Sequence, residues 1–83
     1  SDQVPAIRVA AAQALYRLGE TSRLKLLVEH INDPNLIVGM FALRAIEELG
    51  DAGKVYMDTI AKAQKSNYEF SRRIAQRLIA KWQ

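Results

Sequence analysis

Apolar residues recur along this chain at the three-and-four spacing of helices, and no segment alternates as a strand does. Five stripes stand out. Ile7, Ala11, Ala14, Leu15 and Leu18 predict a helix over about Val4–Leu18, with Pro5 suited to its first turn and Gly19 to a left-handed cap. Leu24, Leu27, Val28 and Ile31 predict a second helix over about Ser22–Ile31, with Thr21 or Ser22 able to cap it. Asn32-Asp33-Pro34-Asn35 reads as a turn. A third helix spans about Leu36–Leu49 and again ends on glycine, Gly50. Val55, Met57, Ile60 and Ala61 mark a fourth over about Ala52–Lys65, and Ser66-Asn67 breaks the chain. The fifth, about Tyr68–Lys81, carries Ile74, Ala75, Leu78, Ile79 and Trp82 on one side.

These stripes repeat. A shift of 31 positions lays Asp2 on Asp33, Ile7 on Val38, Ala11 on Ala42, Ala14 on Ala45, Leu15 on Ile46, Leu18 on Leu49 and Gly19 on Gly50. A weaker third copy lies 33 positions further on, with Arg72 on Gly39, Ala75 on Ala42, Ile79 on Ile46 and Trp82 on Leu49. Self-similarity at such a period marks helical hairpins that stack because none can bury its apolar face alone. The expected fold is all-α: a short α-solenoid of about five antiparallel helices. It forms a single domain over residues 1–83, with about two and a half repeats. Leu15, Leu27, Ala42, Ile46, Ile60, Leu78 and Trp82 are its expected core. The first and third helices are apolar on a second side as well, through Val9, Ala12 and Tyr16 in one and Met40 and Leu43 in the other. An exposed apolar patch on the first helix, with weak self-association, follows from that excess.

Asp2, Ile7-Arg8, Ala11, Ala14-Leu15 and Leu18-Gly19 together resemble the second helix of a HEAT-type repeat. The second copy keeps Asp33, Val38, Ala42, Ala45-Ile46 and Leu49-Gly50 but has Gly39 where the family favours arginine. In such repeats that arginine reaches the aspartate of a neighbouring turn, so one rung is expected to be missing. The run Ala42–Gly50, followed by Tyr68-Glu69-Phe70-Ser71-Arg72-Arg73, further resembles the C-terminal helical-repeat tail of some bacterial sulfatases. That resemblance implies a C-terminal fragment of a larger protein, periplasmic or secreted, whose hydrolase chemistry rests on a formylglycine. The Cys/Ser-x-Pro-x-Arg motif that yields formylglycine does not occur in these residues, so no catalytic residue carries over. HEAT-like arrays serve many unrelated functions, so the resemblance speaks for fold more than for activity.

Composition changes the picture little. The 83 residues contain no cysteine, which leaves no disulfide or thiolate chemistry, and no apolar run approaches the roughly 18 residues of a membrane span. The net charge of +3 is unevenly placed: residues 51–83 hold seven basic and three acidic side chains, residues 1–50 five and six. On the fifth helix Arg72, Arg73, Arg77 and Lys81 share one half of the wheel. They form a candidate surface for a partner or a polyanion such as nucleic acid or sulfated glycan, or else the polar outer face that a terminal repeat needs. Other candidates are weaker. His30 is the only histidine and reads as a surface or helix-end residue. Glu47-Glu48 point about 100° apart on a helix and make no carboxylate dyad. Tyr16, Met40, Phe41, Tyr56, Tyr68 and Phe70 read chiefly as packing between helices. No catalytic, cofactor-binding or metal-ligating set is expected. The function expected is a non-catalytic scaffold or protein-interaction module. Its partner is the rest of a larger polypeptide or another protein, met on the polar face of the fifth helix or on the row of second helices.

Overall fold

The computed structural model describes residues 5–83; the expected helix start at Val4 and the repeat position Asp2 lie outside the described residues. Five α-helices follow in order: α1 (Pro5–Arg17), α2 (Arg23–His30), α3 (Leu36–Glu48), α4 (Met57–Lys62) and α5 (Glu69–Trp82). Two 3-10 segments flank α4, Gly50–Tyr56 before it and Ala63–Lys65 after it. No strand occurs among the described residues, and the fold is all-α. The 31-residue shift of the sequence reappears in the backbone: α1 and α3 are both 13 residues long, and both bounds move by that number. The start of α5 lies 33 residues beyond that of α3.

Local chemistry sets the ends of these helices. At the close of α1, the Gly19 N–H donates to the Tyr16 carbonyl at 3.0 Å and the Glu20 N–H to the Leu15 carbonyl at 3.0 Å. This paired closure needs a left-handed residue, and Gly19 supplies it at φ 107°. Before α3, the Asn35 side chain accepts from the Ile37 N–H at 3.0 Å, and Asp33 accepts from the Asn35 N–H at 2.8 Å. Before α5, the Ser66 hydroxyl accepts from the Tyr68 N–H at 3.1 Å. The expected cap of α2 differs: Ser22 has helical backbone angles and its side chain makes no capping bond.

The core centres on α3, which packs against α1, α2 and α5. Leu27, Ala42, Leu43, Ile46 and Ile60 are fully buried, and Leu78 and Trp82 nearly so. Gly39 lets the α2–α3 contact close, since a Cβ there would lie 2.7 Å from the Ile31 carbonyl oxygen. The residue that departs from the repeat pattern is therefore the one that a close helix approach requires. The buried face of α5 comprises Ser71, Ile74, Ala75, Leu78, Ile79 and Trp82.

Three expectations need correction. First, α1 does not turn its Ile7-Ala11-Ala14-Leu15-Leu18 stripe inward. It buries Val9 and Ala12 instead and packs Tyr16 against the core, while Ile7 is 57% and Leu18 81% exposed. Second, Leu15 is only half-buried and is not a core residue. The physical reason is common to both: α1 is apolar on two sides, and its neighbours α2 and α3 cover only one. Third, the segment expected as one helix over 52–65 is wound partly as 3-10 helix, which leaves Val55 84% exposed. Three residues per turn bring Gly50, Gly53 and Tyr56 to one side. Gly53 is buried against Ile46 and Trp82, and Val55 falls on the far side.

Candidate functional site

The four basic residues on α5 do not stand free. Arg77 grips Glu47 of α3 with two hydrogen bonds, Nη2 to Oε1 at 2.8 Å and Nε to Oε2 at 3.0 Å. Arg73 pairs with Glu69 one turn earlier, and Lys81 lies 3.6 Å from Asp51. Arg72 alone of the four has no carboxylate partner among the described residues; its Nη1 donates to the Ser66 carbonyl at 3.1 Å and closes the turn before α5. At the positions that the 31- and 33-residue shifts align, this chain has Arg8, Gly39 and Arg72, and Arg72 holds a carbonyl. The Arg77 hydrogen bonds hold the Glu47 carboxyl below the usual carboxylate range, aided by the charges of Arg77, Lys81 and Arg44 and opposed by partial burial. The same bond raises Arg77 above its ordinary value.

Helices α1, α3 and α5 form a row, with α3 in contact with both others. Two shallow grooves run between them. One, of about 280 Å³, lies between α1 and α3 and is lined by Val9, Gln13, Phe41, Arg44 and Glu48 among others. The other, of about 400 Å³, lies between α3 and α5 and is lined by Met40, Arg44, Tyr68, Phe70, Arg73 and Arg77 among others. Arg44 borders both grooves, is exposed, and makes no ion pair among the described residues. Ile37, Phe41 and Arg44 stand one helical turn apart on α3. Phe70, with Tyr68 edge-on at 5.4 Å, faces α3 across the second groove. Ile37, Phe41 and Phe70 are 49%, 38% and 57% exposed, and Arg44 lines one groove with Phe41 and the other with Phe70. Sequence reasoning set Phe41 and Phe70 among packing residues; their offset from the buried stripes was the signal that could have separated them. Tyr16, Met40 and Tyr56 do pack against the core.

Two polar bonds lock the row. Gln13 donates to Glu48 at 2.7 Å, tying α1 to α3, and the Arg77–Glu47 pair ties α3 to α5. Adjacent Glu47 and Glu48 therefore serve opposite neighbours. The Trp82 indole N–H donates to Asp51 at 3.2 Å, a tie that spacing alone did not reveal. His30 ends α2, as its position implied, but is buried, not superficial; its Nδ1 lies 3.8 Å from Asp33, and its Nε2 has no partner among the described residues. Among the described residues no three His, Cys, Asp or Glu side chains gather as metal ligands. Among them also, no helix is long and apolar enough to cross a membrane. No protein-family model matches this chain, and neither a curated protein nor a solved structure matches it.

Proposed function

We propose that the chain is a non-catalytic protein-interaction scaffold. In this reading it is a short α-solenoid of HEAT-like repeats in which α1, α3 and α5 are the second helices of successive antiparallel hairpins. The matched bounds of α1 and α3, and the seat of α3 between α1 and α5, support the architecture. The observation that carries the interaction reading is the exposure of Phe41 and Phe70 in the two grooves that Arg44 borders, with Ile37 exposed one turn before Phe41 and Arg44 making no ion pair among the described residues. Exposed aromatics beside arginine are the composition of contact surfaces between proteins. The rival reading, a polyanion binder on α5, is weakened because Arg73, Arg77 and Lys81 already face carboxylates. Membership in a sulfatase-type protein rests on the resemblance of Ala42–Gly50 and Tyr68–Arg73, and an upstream Cys/Ser-x-Pro-x-Arg motif in the full reading frame would support it.

The experiment compares proteins retained by the immobilised parent chain with those retained by the double variant Phe41→Ser, Phe70→Ser. Circular dichroism confirms that both fold. A protein partner lost from the variant supports this reading. Identical retention by parent and variant, or retention of nucleic acid or heparin alone, contradicts it.

A further inference from the structure

We draw no further inference here: the strongest candidate, the exposed Ile7-Ala11-Ala14-Leu18 face of α1, has both Arg17 and Glu48 on its border, and nothing in the structure shows what covers it.

Discussion

At the scale of single residues, two opposing effects meet at Gly39. A glycine inside a helix costs about 1 kcal/mol relative to alanine, so Gly39→Ala would stabilise α3 in isolation. In the folded chain the new Cβ meets the Ile31 carbonyl oxygen at 2.7 Å, and backbone cannot yield as a flexible side chain does. The clash outweighs the propensity, and Gly39→Ala is expected to destabilise the protein by about 1–3 kcal/mol in a urea titration. Unchanged or increased stability would mean that α2 and α3 do not approach this closely. Glu47 gives a pH signature. Its carboxyl titrates below its ordinary value of 4.5 because Arg77 hydrogen-bonds the charged form. A depressed carboxyl stabilises the fold above its unfolded value, and that contribution disappears as pH falls through the folded one. Both partners are partly exposed, so the pair contributes about 0.3–1 kcal/mol. Glu47→Gln is therefore expected to lower the urea midpoint at pH 7 and to leave it unchanged near pH 2, well below the carboxylate range.

At the scale of helices, the repeat supplies a matched pair. Leu15 and Ile46 hold the same position in α1 and α3, yet Leu15 is half-buried and Ile46 fully buried. Ile46→Ala is expected to cost about 2–5 kcal/mol, and Leu15→Ala less than half as much, in the same denaturant series. Equal costs would contradict the asymmetry of the two faces. The helices themselves were legible in the sequence because their stripes and capping residues agree: Asn35 before α3, Gly19 after α1 and Ser66 before α5 all act locally. What was not legible was which of two apolar sides α1 would bury, because periodicity carries no information about neighbours. The 3-10 winding of Gly50–Tyr56 was hidden for a similar reason, since it accompanies a close approach of Gly53 to Trp82, a residue distant in sequence.

At the scale of the molecule, the radius of gyration of 11.7 Å matches that of a compact chain of this length. Three of the four basic side chains on α5 face carboxylates of the fold. Replacing Arg72, Arg73 and Arg77 with serine removes the bridge from α5 to Glu47 and the bond to Ser66, so a loss of stability is expected, with no steep salt dependence of binding to heparin or nucleic acid in the parent. Tight, salt-sensitive binding by the parent that disappears in the variant would restore the polyanion reading. The basic face of α5 was visible in the sequence, but its partners Glu47 and Asp51 lie 30 residues away, so its neutralisation was not.

Residue-resolved amide hydrogen exchange tests the central claim most directly, because it reads how completely each helix is enclosed. The account predicts slowest exchange in α3, held by α1, α2 and α5, and fastest exchange among the longer helices in α1, whose Ile7–Leu18 side is open. Equal protection of α1 and α3 in the isolated chain, or slower exchange in α1, would contradict it.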